Sequence, residues 1–243
     1  MSHIPYDEWA DYIEEILKRN GIDKGLVLEL GCGTGAMTRR MAAKGYDMIG
    51  LDISEDMLSI ARQRSEGAYD DILYLCQDMR DFELYGTVAA IFCVCDTINY
   101  LLTQEDLSRV FNLAGNYLDP GGLFIFDMDT GYLYEEVLGN SINVMHHEQG
   151  SFIWENAFYP DEMINEVNLT LFLKQDNSLY KKHEETHVRR AYDLKTIRTL
   201  LDEAGLDMVG AYHELSFEEP RADSERIYVV AKERHRPNKL YVK

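Results

Sequence analysis

The chain has 243 residues, 46% of them apolar and only 5 of them proline, and its formal net charge is −19. This composition predicts a packed globular core, and no apolar run is long enough for a membrane-spanning helix. Enzymes that bind bulk nucleic acid normally present a basic groove to the phosphates, so the acidic balance disfavours DNA and RNA as partners. We interpret the one basic stretch, residues 232–243, as a solvated tail.

The N-terminal segment is acidic and has no apolar signal core, so we expect a cytoplasmic protein that is not attached to a membrane. The four cysteines lie at positions 32, 76, 93 and 95. Three of them fall in apolar runs, which is typical of small buried side chains in a reducing compartment. No group of cysteines and histidines has the spacing of zinc ligands, and we predict no metal site.

In chain order, the sequence opens with a helical segment at residues 7–19. Apolar runs and helical segments then alternate, which is typical of a parallel sheet covered by helices. Ser54 and Thr103 each precede a helical segment and are predicted N-caps. The helix after Thr103 is expected to end at the Asp-Pro-Gly-Gly breaker of residues 119–122. The five predicted strands span residues 26–30, 47–51, 72–76, 88–95 and 123–128.

Beyond residue 128 the pattern changes to alternation of apolar and polar residues. Val167 to Leu173 predict a strand with one buried face, and a turn at 176–178 leads into a second, polar strand at 179–190. Residues 151–159 predict a further strand, whereas His146 and His147 are assigned to a surface loop. A helix at 193–205 and strands at 207–215 and 226–232 then complete the main sheet.

Together these elements predict an α/β fold. Its centre is a Rossmann-like, seven-stranded, mostly parallel sheet with helices on both faces, and an antiparallel β-rich insertion follows strand five. We assign residues 1–140 and 193–243 to the sheet domain. Residues 141–192 form the predicted insertion, which is expected to cover a binding site.

The first predicted strand ends in a glycine-rich turn. Gly31, Gly33 and Gly35 follow an apolar run and open a helix, at the carboxyl edge where open α/β sheets bind ligands. Alone, the turn is ambiguous. Gly31, Gly33 and Ala36 also fit the G-x-G-x-x-A pattern of dinucleotide sites, with Asp52 at a suitable distance to hold a ribose.

Two acids favour a different ligand. Glu29, two residues before the first glycine, is poorly suited to a pyrophosphate but suits the ammonium group of an amino acid. Asp78 follows the third strand, where a carboxylate can accept a hydrogen bond from an adenine amino group, while Asp52 takes the ribose hydroxyls. The three strand-end acids therefore predict a pocket for a zwitterionic, adenosine-bearing ligand without phosphates.

With these motifs the sequence resembles the class I S-adenosylmethionine-dependent methyltransferases over nearly its whole length. Residues 93–101 resemble the family's fourth-strand segment, where backbone carbonyls usually hold the methionine ammonium, and residues 118–122 resemble its turn into strand five. The resemblance implies S-adenosylmethionine as cofactor and S-adenosylhomocysteine as product. It places the cofactor contacts at Glu29, Gly31, Cys32, Gly33, Gly35, Asp52, Ile53, Asp78, Met79 and Cys95.

More narrowly, residues 185–192 together with Trp154 and Glu155 resemble a poorly characterised group of small bacterial methyltransferases. Chains of that group often begin with a tyrosine-rich segment that closes over the cofactor. Here the sequence reads Ile-Pro-Tyr-Asp-Glu-Trp at residues 4–9, so we expect this lid to be shortened or missing.

Candidate substrate residues come from the fourth-strand loop and the insertion. They are Asp96, Asn99, Tyr100, Trp154, Glu185, His187, Arg190 and Tyr192. We expect either Arg190 and Tyr192, or Glu185 and His187, to point toward the loop near Asn99 and Tyr100, since successive strand residues face opposite sides. Transfer from a sulfonium needs no acid for the leaving group, so no catalytic residue is assigned. Asp96, Tyr100, His187 and Tyr132 are the residues to examine first.

The leading hypothesis is an S-adenosylmethionine-dependent methyltransferase acting on an unidentified acceptor, which we expect to be a small molecule. One alternative is a nicotinamide-dependent oxidoreductase, against which Glu29 and Asp78 count. Another is a non-catalytic adenosyl-ligand-binding protein on the same fold, because function depends on the site and not on the fold. The sequence leaves the oligomeric state open, and a homodimer is among the states it allows.

Overall fold

The computed structural model describes residues 5–175, 179–235 and 239. Its α-helices are α1 (Tyr6–Arg19), α2 (Ala36–Ala43), α3 (Glu55–Ser65), α4 (Gln104–Tyr117) and α5 (Leu194–Glu203). Short 3₁₀ and π-helical turns span Thr97–Tyr100 and Leu133–Leu138. Its strands are β1 (Leu26–Leu30), β2 (Asp47–Asp52), β3 (Leu73–Cys76), β4 (Val88–Cys93), β5 (Leu118–Asp129), β6 (Ile142–His147), β7 (Gly150–Tyr159), β8 (Ile164–Lys174), β9 (Tyr180–Arg190), β10 (Leu206–His213) and β11 (Arg226–Glu233).

The main sheet has seven strands in the order β10-β11-β5-β4-β1-β2-β3. Strands β1 to β5 pair in parallel, and β11 pairs antiparallel with both β5 and β10. The predicted fold class, a seven-stranded, mostly parallel α/β sheet with a separate antiparallel insertion, is therefore confirmed. Because β4 and β1 are neighbours, the loops after them meet at one place on the carboxyl edge, where the predicted site lies.

Helices cover the sheet from both sides. The apolar residues of α1 and α2 form one buried cluster with β1 and β4, and those of α4 and α5 form a second cluster on the opposite face. The predicted caps are present: Ser54 Oγ accepts from the Met57 amide and Thr103 Oγ1 accepts from the Asp106 amide. These caps satisfy amide groups that the first helical turn leaves without partners.

Strands β4 and β5 differ from the prediction in a way that bears on the site. The Asp-Pro-Gly-Gly segment ends α4 as expected, but it lies within β5, whose register against β4 shifts between Val88 and Ala90. A Cβ at Gly122 would lie 2.8 Å from the Ala89 carbonyl oxygen, so only glycine allows this close approach. Strand β4 ends at Cys93 and not at residue 95, because Cys95 and Asp96 adopt positive φ angles.

The insertion is a second sheet with the strand order β6-β7-β8-β9, antiparallel throughout. Strands β7, β8 and β9 were predicted, and the predicted turn at 176–178 lies outside the described residues. The assignment of His146 and His147 to a loop is wrong, since both lie in β6. The predicted burial of the alternating face is only partly correct: Val167 is buried, whereas Leu173 is 45% exposed.

The basic C-terminal stretch is not simply a solvated tail. Its first residues belong to β11, and the ammonium group of Lys239 donates to the carbonyl oxygens of Gly115 and Leu118, at 2.6 Å each. A cation at this point is favourable because it satisfies carbonyls at the end of α4. Among the described residues, no helix is long and apolar enough to cross a membrane.

Candidate active site

The turn after β1 requires glycine because of its backbone conformation and its close packing. Gly31, Gly33 and Gly35 have φ angles of 71°, 52° and 69°, in the left-handed region. A Cβ at Gly31 would lie 2.5 Å from Thr97 Cγ2, and one at Gly35 would lie 2.4 Å from the Tyr74 hydroxyl. The turn thus packs closely against its surroundings while leaving its backbone open toward the carboxyl edge of the sheet.

Asp52, at the end of β2, supports this turn. One carboxylate oxygen accepts from the Gly33 amide over 2.7 Å, and the other accepts from the Ser54 amide over 2.9 Å. The carboxylate therefore connects the glycine turn to the start of α3. Each oxygen retains acceptor capacity, because an ionised carboxylate offers about four lone-pair sites.

Asp78 lies after β3, as the sequence predicts, and forms an ion pair with Arg80. The guanidinium donates to both carboxylate oxygens, with distances of 2.6 to 3.1 Å. These hydrogen bonds hold the pKa of Asp78 below its ordinary value. The carboxylate is consequently ionised and restrained at the sheet edge.

A cleft of about 460 Å³ connects these elements. Its walls include residues from the turn, from the ends of β2 and β3, from the loop after β4, and from β9 of the insertion. Among its lining residues are Gly31, Asp52, Ile53, Asp78, Met79, Tyr100 and His187, all of them predicted site residues. The structure therefore brings two predicted groups, cofactor contacts and substrate contacts, to one cavity.

Glu29 lies below the turn on β1 and is only 4% exposed. Its carboxylate accepts a hydrogen bond from the Thr38 hydroxyl of α2. Burial raises the pKa of Glu29 to about 8. Among the described residues, no cation forms an ion pair with it, so a cationic ligand group at this position would stabilise the ionised form that burial disfavours. Cys32, in the turn itself, is also buried, and burial raises the pKa of its thiol.

The backbone after β4 is strained. Cys95 and Asp96 are consecutive non-glycine residues with φ angles of 65° and 52°, a conformation that costs free energy and is frequent at functional sites. The carboxylate of Asp127 on β5 holds it by accepting from both amides, over 3.1 and 2.9 Å. Burial, together with the nearby charge of Asp96, raises the pKa of Asp127 to about 7.

Around this strained peptide lies a network of three carboxylates and two guanidiniums. Arg189 of β9 donates to Asp96 over 2.7 Å and contacts Asp129 at 3.3 Å. Arg226 of β11 lies 2.9 Å from Asp129 and 3.3 Å from both Asp96 and Asp127. The network ties the insertion and the last strand to the loop after β4, and its carboxylates outnumber its cations.

Sequence reasoning identified Asp96 but missed the other four members of the network. A signal existed for Asp127 and Asp129, since both interrupt an otherwise apolar strand, and acids in such positions are rarely buried without a partner. No local pattern marked Arg189 or Arg226, because their partners are distant in sequence. Arg226 and Asp129, for example, are separated by 97 positions.

The insertion contacts the loop through both predicted sets of residues. His187 Nδ1 lies 3.0 Å from the Tyr100 hydroxyl at the cleft, and Glu185 lies 3.5 Å from the other ring nitrogen of His187. Arg190, on the opposite strand face, instead donates to the Leu102 carbonyl oxygen over 2.8 Å. His187 thus faces the cleft, whereas Arg190 binds the loop after β4 from the opposite face of the strand.

Three other predicted substrate residues lie away from the cleft wall. Asn99 is fully buried, and its amide group donates to the carbonyl oxygens of Asp129 and Arg190 and accepts from the Asp129 amide. The Tyr192 hydroxyl donates to the Leu101 carbonyl oxygen. Both residues therefore position the loop by backbone contacts. Trp154 pairs with Leu169 in the insertion sheet and does not line the cleft.

Buried polar atoms also lie beside the network. The Tyr134 hydroxyl, Asn165 Oδ1 and Arg189 Nε have no hydrogen-bond partner among the described residues. Arg189 lies over the Tyr134 ring, 5.6 Å from its centroid, and Asn165 pairs with Arg189 across β8 and β9. Unsatisfied buried polar groups are rare in folded proteins and are found where a ligand or a water molecule binds.

Comparison with known proteins identifies the family. A family model described as a methyltransferase domain matches residues 27–122. YqeM of Bacillus subtilis (strain 168), which is named a putative methyltransferase, is 33% identical over 232 residues, covering 95% of this chain and 92% of YqeM. This chain belongs to the class I S-adenosylmethionine-dependent methyltransferases.

Further similarities agree with this assignment. The crystal structure of an S-adenosylmethionine-dependent methyltransferase from Clostridium acetobutylicum ATCC 824 matches with a TM-score of 0.88 and 28% identity, covering 96% of this methyltransferase and 94% of that chain. The dTDP-3-amino-3,4,6-trideoxy-alpha-D-glucopyranose N,N-dimethyltransferase of Streptomyces venezuelae is 30% identical over 122 residues, which is 50% of each chain. The predicted cofactor and enzyme class are confirmed. The oxidoreductase alternative receives no support.

Proposed function

We propose that this methyltransferase transfers a methyl group from S-adenosylmethionine to a small molecule bound between the cleft and the insertion. The observation that carries the proposal is the cleft itself, since predicted cofactor residues at the ends of β1 to β3 share one cavity with Tyr100 and His187. Its volume of about 460 Å³ is in the range of small-molecule sites. Residues 141–192 are the cover of this site.

The residues of the cleft fit the cofactor. Gly31 and Gly35 hold the turn where a Cβ would collide with neighbouring side chains. The buried carboxyl of Glu29 would ionise opposite the ammonium group of the cofactor, which stabilises its charged form. Asp52 accepts from the ribose hydroxyls with its remaining lone pairs, and Asp78 with Met79 borders the adenine. Ile53, 67% exposed at the end of β2, provides an apolar surface for the base. Cys32 and the backbone of Cys95 would contact the methionine moiety of the cofactor.

The acceptor side borders three carboxyl groups, those of Asp96, Asp127 and Asp129, which share only two guanidiniums. Burial raises the pKa of Asp127 to about 7, and a cationic acceptor beside it would stabilise its ionised form. A site with this balance favours an acceptor that bears an amine over one that bears a phosphate or carboxylate. The similarity to the Streptomyces venezuelae enzyme, whose name states an amino-sugar substrate, supports the same chemical class.

The bound cofactor supplies an electrophilic methyl group on a sulfonium. The protein's task is then to hold the nucleophile in line and to exclude water. The loop after β4, fixed by Asp127 and by the β9 contacts, positions Tyr100, and His187 from the insertion restrains the Tyr100 hydroxyl at 3.0 Å. Together they form the wall against which the acceptor is oriented.

The proposal is tested by incubating the purified protein with methyl-tritiated S-adenosylmethionine and separate panels of small amines, small alcohols, carboxylic acids, protein and transfer RNA. We expect label transfer to members of the amine panel and none to the macromolecules. The Asp52→Asn variant serves as the control for enzyme-dependent transfer. Transfer to protein or RNA alone would refute the small-molecule acceptor, and transfer to carboxylic acids alone would refute the charge argument.

A further inference from the structure

One crossover of the main sheet contains no helix. The connections from β1 to β2, from β2 to β3 and from β4 to β5 contain α2, α3 and α4 in turn, whereas residues 77–87, between β3 and β4, form an irregular loop. Helices α4 and α5 cover their face of the sheet near β4, β5 and β10. Over the amino ends of β1, β2 and β3, the part of the chain that the structure describes covers the same face only with this loop, which inserts the buried side chain of Phe82.

The uncovered part of this face is an apolar groove of about 660 Å³. Its floor includes Leu26, Ile49 and Leu73, at the amino ends of β1, β2 and β3. Leu26 is 37% exposed and Leu73 is 48% exposed, and Tyr85 on the rim is fully exposed. In α/β folds such strand faces are normally buried under helices, so a groove of this kind marks a binding surface.

The rim of the groove is acidic. Asp47, Asp71 and Glu83 line it, and among the described residues none of their carboxylates has an ion-pair or hydrogen-bond partner. Their charge adds to a chain that already carries −19. A ligand that fills the groove therefore meets an apolar floor and three unpaired negative charges at its border.

We propose that this groove binds a basic amphipathic helix of a partner protein, in the position that a crossover helix would occupy. Apolar side chains of such a helix would cover Leu26 and Leu73, and its lysines or arginines would reach the three carboxylates. Charge complementarity favours a basic helix over two other possible occupants of the groove. A second copy of this chain would bring another strongly acidic surface to the rim, and an apolar small molecule would leave the carboxylates near buried surface without partners.

The proposal is tested with a fluorescein-labelled peptide of about 18 residues, built from leucine and lysine at helical spacing, whose binding to the full chain is followed by anisotropy. We expect Tyr85→Ala and Leu73→Asp each to weaken binding about tenfold, because both remove apolar contact in the groove. An analogue with glutamate in place of lysine should not bind. Circular dichroism and S-adenosylhomocysteine affinity verify that each variant is folded. Because Tyr85 is fully exposed, we expect Tyr85→Ala to fold like the parent chain.

A matched pair of triple variants separates the groove from general attraction to an acidic protein. The groove variant combines Asp47→Asn, Asp71→Asn and Glu83→Gln. The control variant combines Asp161→Asn, Glu162→Gln and Glu219→Gln, three exposed positions in other loops. Both remove three negative charges, but only the groove variant should weaken binding about tenfold. Equal weakening by both would overturn the proposal, as would a sedimentation coefficient that falls in Tyr85→Ala, since the groove would then bind a second copy.

Discussion

Replacing Glu29 with glutamine should change stability and cofactor affinity in opposite directions. The carboxyl is buried on β1 and accepts a hydrogen bond from the Thr38 hydroxyl, and burial raises its pKa from the ordinary 4.5 to about 8. Between these two pH values the folded chain retains a proton that the unfolded chain has lost. The contribution of Glu29 to stability therefore falls as the pH rises from 4.5 to 8, and stays unfavourable above that.

The size of the effect follows from the rise in pKa. It corresponds to about 3 to 5 kcal/mol of free energy of unfolding at pH 9. Glutamine has nearly the same shape, still accepts from Thr38 and does not ionise. We therefore expect the Glu29→Gln variant to have the same free energy of unfolding as the parent at pH 4.5 and a higher one, by about this amount, at pH 9.

Cofactor affinity should respond in the opposite sense. Without the carboxylate, the ammonium group of the ligand loses a charge-assisted hydrogen bond worth about 1.5–3 kcal/mol, or roughly 10- to 100-fold in affinity. Urea denaturation at pH 4.5, 7 and 9 and calorimetric titration with S-adenosylhomocysteine measure the two effects. Glu55→Gln, which changes an exposed carboxylate, is the control. Parallel stability profiles, or unchanged affinity, would refute the assigned role of Glu29.

Three further outcomes are expected. Asp52→Asn should weaken S-adenosylhomocysteine binding at least about tenfold in calorimetry. It should also lower the melting temperature, because the Asp52 carboxylate accepts from the amides of Gly33 and Ser54, and an unchanged melting temperature would contradict this. Arg226→Met should lower the free energy of unfolding in urea denaturation by about 3–5 kcal/mol, since it leaves the buried Asp127 without a cation and Asp129 with Arg189 alone. A loss below about 1 kcal/mol would show that the network is not needed for stability. Filter binding across a salt series should detect no salt-sensitive affinity for transfer RNA, whereas tight binding that salt abolishes would contradict the charge argument.

Much of the main domain could be predicted because its signals are local. The glycine turn, the capping residues Ser54 and Thr103 and the acids at strand ends each depend on a few neighbouring residues. Strand β6 gave no such signal, because all six of its residues are exposed and no apolar periodicity distinguishes it from a loop. The burial of Val167 but not of Leu173 was equally out of reach, since both lie on the same alternating pattern and nothing in the local sequence distinguishes them.

The part of the site that escaped prediction is also where local rules are broken. Cys95 and Asp96 adopt a backbone conformation that side chains disfavour, and buried carboxylates of β5 hold them there. Both features oppose folding, by about 1–3 kcal/mol for each strained residue. They occur together, at the carboxyl edge of the sheet and beside the contact between Tyr100 and His187. Elsewhere in the main sheet, pattern and structure mostly agree, so the conflict is concentrated where the protein must orient a ligand.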